Sequence, residues 1–136
     1  MQITKLTDNL NSALIGSTGF VGSTLQREYS FTHRYHSTDI GNIDNNSFDV
    51  VLCAGASAKK YLANQDPITD ERNIDVLISH LKTISAKLFV LISTVDVFKS
   101  PIDIDENTKV DVTDLHPYGK NRYKLEHFVK ENFTIT

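Results

Sequence analysis

Three glycines at a spacing of three, Gly16, Gly19 and Gly22, follow directly after the apolar run Ala13–Ile15. The chain has only six glycines, and glycine loses more backbone freedom on folding than any other residue, so this concentration needs a structural reason. A strand that ends in such a cluster and leads into a helix is typical of a loop that a phosphate group approaches closely. The cluster therefore predicts either a plain turn or a phosphate-binding strand–loop–helix unit.

The composition limits the chain to a few classes of protein. Its 136 residues suffice for one ordinary domain with a core. With 14 Lys and Arg residues against 17 Asp and Glu residues, the formal net charge is -3, which disfavours nucleic acid or an anionic membrane as a partner. The N-terminus shows no signal pattern, no apolar stretch approaches the ~20 residues of a membrane span, and the single Cys53 lies in an apolar run. We predict a soluble cytoplasmic protein with a buried Cys53 and no metal site.

Short apolar runs alternate with segments of helical periodicity along the chain. The predicted strands are Ser12–Ile15, Phe31–Ser37, Phe48–Ala54, Leu88–Ser93 and Phe133–Thr136. The predicted helices are Gly19–Tyr29, Pro67–Ala86 and Pro117–Asn132. Strands that alternate with helices in this way pair in parallel through crossover connections. The sequence therefore predicts a single α/β domain, a doubly wound parallel sheet between two helical layers.

The glycine cluster lies between a predicted strand and a predicted helix, which is where a dinucleotide-binding loop belongs. Its G-x-x-G-x-x-G spacing, with the pair Phe20-Val21 before the last glycine, resembles the short-chain dehydrogenase/reductase superfamily. The resemblance implies a Rossmann-like fold and a bound NAD or NADP. The implied cofactor-binding residues of this loop are Gly16, Thr18, Gly19, Phe20, Val21 and Gly22.

Two later segments resemble the active-site motifs of the extended members of that superfamily. In LISTVDVF, Thr94 occupies the hydroxyl position, and in HPYGKNRYKLEHF, Tyr118 occupies the tyrosine position of Tyr-x-x-x-Lys, with Arg122 in place of the lysine. The resemblance implies that Tyr118 exchanges a proton with the substrate oxygen and that Thr94 hydrogen-bonds the same oxygen. A cation one helical turn away favours the phenolate, although arginine is bulkier and more strongly committed to its proton than lysine.

The same resemblance assigns further residues to the cofactor. The segment FDVVLCAGASAKKYL implies that Ala54, Gly55 and Ala56 line it, while Ser37, Asn42 and Ile43 border its adenosine half and Tyr118 and Arg122 its other half. The choice between NAD and NADP stays open: Asp39 favours a ribose 2′-hydroxyl, whereas Arg34, Ser37 and Thr38 are compatible with a 2′-phosphate. Lys59 and Lys60 are candidates for a substrate phosphate, and Asn73 matches the helix asparagine of the superfamily.

The resemblance covers residues 12–136 and corresponds to the N-terminal portion of the NAD-dependent epimerase/dehydratase family, so a substrate-binding region is expected beyond it. It implies an NAD(P)-dependent epimerase, dehydratase or reductase that acts on a nucleotide sugar, with HSTD similar to the dTDP-4-dehydrorhamnose reductases. Asp96 stands near the position of a dehydratase base. The alternatives are a catalytically inactive dinucleotide-binding module with a regulatory or scaffold role and, less well matched, a methyltransferase. An unpaired edge of the sheet would favour a homodimer.

Overall fold

The sheet and its helices are seen in a computed structural model, which describes residues 10–56, 59–94, 97–98, 102, 104–105, 107–113 and 115–134. These residues form four strands, four α-helices and one 3-10 helix. In chain order they are β1 (Ser12–Ile15), α1 (Phe20–Glu28), β2 (His33–Tyr35), the 3-10 helix (Ile40–Ile43), β3 (Ser47–Cys53), α2 (Lys60–Gln65), α3 (Pro67–Leu81), β4 (Ser85–Leu91) and α4 (Pro117–Asn132). In the described ranges, no helix is long and apolar enough to cross a membrane.

The four strands form one parallel sheet in the order β2-β1-β3-β4. In the middle of the sheet, Ile15 is opposite Tyr35 of β2 on one side and Cys53 of β3 on the other. The chain therefore leaves β1 towards one edge of the sheet and leaves β3 towards the other. The predicted doubly wound α/β fold is confirmed, and ligands of such sheets bind at the carboxyl ends of the strands where the order reverses.

Both faces of the sheet are covered, because the central strands are apolar on both sides. On one face, Ala13 and Ile15 belong to the larger core cluster, to which α3 contributes Leu77 and α4 contributes Leu125. On the other face, Leu14 belongs to a smaller cluster, against which α1 packs. All four residues of β1 are buried, as expected for the central strand of a three-layer αβα domain.

Several element boundaries differ from the prediction. The helix predicted to reach Ala86 ends at Leu81, and β4 begins at Ser85 instead of Leu88. Ile84 caused this difference, because it is 8% exposed and so continues the apolar spacing of the helix, although it lies in the turn before β4. The second strand is shorter than predicted, while β1 and the last helix have the predicted bounds.

The sequence predicts a strand over Phe133–Thr136, but its described residues, Phe133 and Thr134, are not part of a strand, although the chain lies beside β4 at this point. The backbone N–H of Phe89 in β4 donates to the Thr134 carbonyl at 2.9 Å. The rings of Phe89 and Phe133 stack with their centroids 4.6 Å apart. The outer edge of β4 is therefore paired at this position, while the last two residues of the predicted strand lie outside the described residues.

Cys53 ends β3 and is completely buried, as the sequence predicts. Burial raises the pKa of its thiol from its ordinary value of 9.0 to about 11. The folded state thus holds the thiol proton more tightly than the unfolded chain does, which stabilises the fold fully below about pH 9 and progressively less as the pH rises through 11.

We predict that the protein loses about 2 kcal/mol more of its unfolding free energy between pH 9 and 11 than a Cys53→Ala variant does. Urea unfolding at a series of pH values measures this difference. Equal pH dependence in the two proteins would show that the thiol titrates normally in the folded state.

Candidate functional site

The glycine loop is held between β2 and the chain that follows β3. Gly16 has a φ of +85°, a backbone conformation that residues other than glycine rarely adopt. The N–H groups of Gly16 and Ser17 both donate to the Tyr35 carbonyl at the end of β2. A Cβ atom on Gly16 would stand 2.3 Å from the Ala54 carbonyl oxygen, and one on Gly22 would stand 1.8 Å from the Gly16 oxygen. Two of the three glycines are therefore required by the packing of backbone against backbone.

The third glycine has a different environment. A Cβ atom on Gly19 would meet the Gly16 oxygen at 3.5 Å, which is ordinary contact. Gly19 is the N-cap of α1, and no side chain of the described residues accepts a hydrogen bond from the first turn. By contrast, α3 is capped by Asp66 and α4 by His116. The first turn of α1 also has no acidic residue, so its backbone donors and its positive dipole end suit an anion.

A cavity of about 810 Å³ opens in front of this loop, at the carboxyl ends of the strands. Four groups of residues line it: the end of β1 with the glycine loop and α1, the chain after β2, the chain after β3, and one side of α3 together with one residue of α4. They are Ile15, Gly16, Thr18, Gly19, Phe20, Val21, His36, Ser37, Ile40, Ala54, Gly55, Ala56, Lys59, Asp70, Asn73, Ile74, Val76, Leu77 and Arg122. Phe20 is 88% exposed at the start of α1, so it presents an aromatic ring at the cavity.

The structure brings ten of the fourteen residues assigned to the cofactor to this cavity. Those that line it are Gly16, Thr18, Gly19, Phe20, Val21, Ser37, Ala54, Gly55, Ala56 and Arg122. The other four are placed elsewhere. Gly22 is buried beneath the loop, Ile43 is in the core, Asn42 is exposed in the 3-10 helix, and Tyr118 is 7% exposed in the wall of α4.

Of the three catalytic candidates, Arg122 alone is among the described residues that line the cavity. Thr94 lies three residues after the end of β4 and is partly buried. Lys59 and Asn73 line the cavity, whereas Lys60 is an exposed residue at the start of α2. Asp96 lies outside the described residues.

Arg122 forms a buried ion pair that the sequence analysis did not predict. Its Nη1 atom contacts Oδ2 of Asp70 on α3, and the two side chains are 4% and 9% exposed. Nδ2 of Asn121 donates to the same oxygen at 2.7 Å. The guanidinium also lies over the ring of Tyr118, with Cζ 4.3 Å from the ring centroid. The cation is thus one helical turn from the tyrosine, as predicted, and it contacts the face of the ring.

The start of α4 is positioned by its own cap and by α2. Nδ1 of His116 accepts from the Gly119 N–H at 3.1 Å, and Oδ1 of Asn64 in α2 accepts from the Tyr118 N–H at 3.0 Å. Two independent hydrogen bonds therefore determine where the backbone of Tyr118 lies.

In the chain after β2, the carboxylate of Asp39 contacts His36 of the same turn. Oδ1 of Asp39 accepts from the His36 N–H at 2.8 Å, and Oδ2 lies 3.2 Å from Nε2 of the same histidine. Thr38 contacts Nδ1 of His36, with its Oγ1 at 2.6 Å. Of this turn, His36 and Ser37 line the cavity. Ser37, one of the residues compatible with a 2′-phosphate, therefore lines the cavity. The Asp39 carboxylate instead contacts His36 within the turn.

Asp70 and His36 line the cavity without having been predicted to do so. A signal for Asp70 exists in the sequence, because it precedes Ile74 and Leu77 at helical spacing and so lies on the buried stripe of α3. Arg122 likewise precedes Leu125 and Val129 on the buried stripe of α4. Opposite charges on two buried stripes indicate that the two helices pair there, since a buried charge needs a partner.

Comparison with known proteins finds solved structures of the same fold. The chain matches no protein-family model and no curated protein. RMD from Pseudomonas aeruginosa, in complex with NADPH, is 20% identical with a TM-score of 0.66, over 89% of this chain and 48% of its own. The UDP-Glc/GlcNAc 4-epimerase from Campylobacter jejuni is 17% identical with a TM-score of 0.62, over 88% and 48%. A dTDP-4-dehydrorhamnose reductase from Clostridium acetobutylicum is 18% identical with a TM-score of 0.64, over 91% and 51%.

The chain therefore spans about half the length of each of these solved structures. At this level of identity the likeness shows that they share a fold with the chain described here.

We predict that Asp70→Ala lowers the unfolding free energy by about 3–5 kcal/mol, because it leaves the Arg122 cation buried without its carboxylate. The double variant Asp70→Leu, Arg122→Met removes both charges and should recover most of this loss. Urea unfolding measures both effects. A matched control is Asp75→Ala, which removes an exposed partner of Lys124 and should cost less than about 1 kcal/mol. Equal losses for Asp70→Ala and Asp75→Ala would contradict the structural role of the buried pair.

Proposed function

We propose that residues 1–136 form an NAD(P)-binding Rossmann domain that belongs to an enzyme acting on a nucleotide sugar. The observation that carries the proposal is the uncapped N-terminus of α1 behind Gly19, at a cavity where the strand order reverses. A pyrophosphate needs backbone donors, a positive helix end and close approach to a residue without a side chain, and this loop supplies all three.

The proposed binding mode assigns each part of the cofactor to one wall of the cavity. The pyrophosphate lies on Thr18, Gly19, Phe20 and Val21 with α1, while Gly16 and Gly22 allow the loop its close packing. The adenosine ribose lies near Ser37. The chain after β3, with Ala54, Gly55 and Ala56, supports the middle of the cofactor, and Arg122 borders its other nucleoside. Asn42 and Ile43 would act through the shape of the 3-10 helix, since neither lines the cavity.

The proposed reaction transfers a hydride between the nicotinamide, which the cofactor supplies when bound, and a carbon of the sugar. Tyr118 would exchange the proton at the sugar oxygen, Thr94 would hydrogen-bond that oxygen, and Arg122 would supply positive charge beside Tyr118. The motifs around these residues support this assignment. So do the neighbours: RMD is in complex with NADPH, a dTDP-4-dehydrorhamnose reductase is in complex with NADP, and a further neighbour is in complex with UDP-glucose and NAD.

An epimerase, a dehydratase and a reductase share these parts, and the sugar would be bound largely by a region beyond this domain. A cytoplasmic location and a homodimer stay predictions of the sequence.

A second candidate function is a dinucleotide-binding module without catalysis. It is favoured by the commitment of Arg122 to Asp70 and by the burial of Tyr118 in the wall of α4. Such a module would bind the cofactor and report its level or redox state without turning over a sugar.

We predict that Gly19→Val weakens binding of NADH and NADPH at least about tenfold, since a branched side chain there enters the space in front of the helix N-terminus. Isothermal titration calorimetry measures the affinities. The matched control is Gly41→Ala, where the nearest side-chain atom stands 3.8 Å from the new Cβ and the residue does not line the cavity. Unchanged affinity in Gly19→Val, with normal thermal unfolding, would refute binding at this loop.

We predict that Tyr118→Phe, in the full gene product, lowers the rate of hydride transfer to or from nucleotide-sugar substrates about 10²–10⁴-fold while cofactor affinity stays within a few-fold. Cofactor absorbance follows the reaction, with UDP-glucose and dTDP-4-dehydro sugars as the substrates tried. Full activity in the Tyr118→Phe variant would refute the proposed mechanism. Cofactor binding with no turnover of any of these substrates by the unmutated protein would favour the module instead.

A further inference from the structure

Asp70 places a carboxylate in the wall of the cavity, where α3 contacts Arg122 of α4. Its side chain is 9% exposed, yet the residue lines the cavity. A buried carboxylate is costly unless it is paired and hydrogen-bonded. The partners of its two oxygen atoms therefore determine which ligand groups this wall of the cavity can bind.

Among the described residues, two side chains donate to the Asp70 carboxylate, and both donate to the same oxygen atom. Nη1 of Arg122 and Nδ2 of Asn121 both donate to Oδ2. Oδ1 receives no hydrogen bond from the described residues, and it is not one of their fully buried atoms without a partner, so it contacts solvent. Asp70 itself lines the cavity. A carboxylate oxygen accepts about two hydrogen bonds. The two donors from α4 thus hold the carboxylate in one orientation and leave Oδ1 as an acceptor for a ligand.

The surroundings limit the ligand chemistry to a neutral donor. The Arg122 guanidinium neutralises the carboxylate at close range, which disfavours a metal ion or an ammonium group at Oδ1. A phosphate offers no donor. A hydroxyl group fits, and carboxylates bind ribose hydroxyls in dinucleotide sites.

The position in the cavity indicates which hydroxyl this is. His36 and Ser37 follow β2 at one edge of the sheet, whereas Arg122 belongs to α4, which follows β4 at the other edge. The glycine loop lies between them, at the end of β1. A dinucleotide whose pyrophosphate rests on the loop therefore places its two riboses at these two ends.

We propose that Oδ1 of Asp70 accepts a hydrogen bond from a hydroxyl group of the second ribose, the one that does not carry adenine. This inference rests on the proposed dinucleotide binding. Arg122 cannot accept this hydrogen bond, because neither Lys nor Arg has an acceptor atom. The acceptor in this wall of the cavity is therefore Asp70. Asn121 and Arg122 are then positioning residues for the Asp70 carboxylate.

The test compares ADP with ADP-ribose, which differ by the second ribose. Calorimetric titration of the unmutated protein should show ADP-ribose binding roughly tenfold more tightly than ADP, as expected for one hydrogen bond to a charged group. In Asp70→Asn, which keeps the shape of the side chain, the ratio should fall below about threefold, while the ADP affinity changes less than twofold. The ratio is measured on one protein sample, so a partly unfolded variant affects both ligands equally.

A ratio that stays near tenfold in Asp70→Asn would overturn the role of Asp70, with dinucleotide binding intact. Failure of both ADP and ADP-ribose to bind the unmutated protein would overturn the proposed function and this inference together. Equal affinities of the unmutated protein for the two ligands would overturn the inference alone.

A second measurement needs no substitution at the buried pair. The side-chain amide of Asn121 donates to the Asp70 carboxylate, so its NMR resonance should shift when ADP-ribose binds and stay within experimental error of the free position with ADP. The side-chain amide of Asn132, which donates to the Phe128 carbonyl, is the internal control and should not respond to either ligand. Equal shifts of the Asn121 amide with the two ligands would refute contact between the second ribose and Asp70.

Discussion

The close approach of two backbone segments, at Gly16 and Ala54, determines the rest of this domain. The chain leaves β1 and β3 towards opposite edges of the sheet, so the connections that follow the two strands diverge and a crevice forms between them. The loop after β1 can cross this point only without a side chain, because a Cβ atom on Gly16 would stand 2.3 Å from the Ala54 oxygen. Gly22 also lacks a side chain, so the first turns of α1 pack directly against the Gly16 carbonyl. The N-terminus of α1 is thereby fixed at the edge of the cavity.

The second organising contact is the buried pair of Asp70 and Arg122, which joins α3 to α4. It lies between two apolar stripes and at the wall of the cavity at once. One oxygen of this carboxylate accepts hydrogen bonds from α4, and the proposed recognition of a ribose would use the other. Arg122 contacts the ring of Tyr118 and also holds the Asp70 carboxylate in one orientation.

The sequence predicted the sheet and the glycine loop because both arise from local patterns. Ser12–Ile15 is apolar and is ended by Gly16, so its bounds could be read directly. The short helix Lys60–Gln65 was not predicted, since it buries Ala63 alone and shows no apolar period. Asp70 was not predicted as a site residue because its role depends on Arg122, which is 52 positions away in the chain. Long-range pairing of polar groups on buried stripes is visible as a pattern, but the partner is decided by the packing of the helices.

The carbonyl of Tyr35 accepts hydrogen bonds from two successive residues of the glycine loop, Gly16 and Ser17. A loop that is tied in this way to a strand of the sheet takes up its shape as the domain folds, and no ligand is required to order it. The conformational entropy of the loop is therefore lost on folding. A ligand that binds at this loop would not have to order it, so the loop is preorganised. The rigidity of the glycine loop therefore depends on β2 as much as on the glycines themselves.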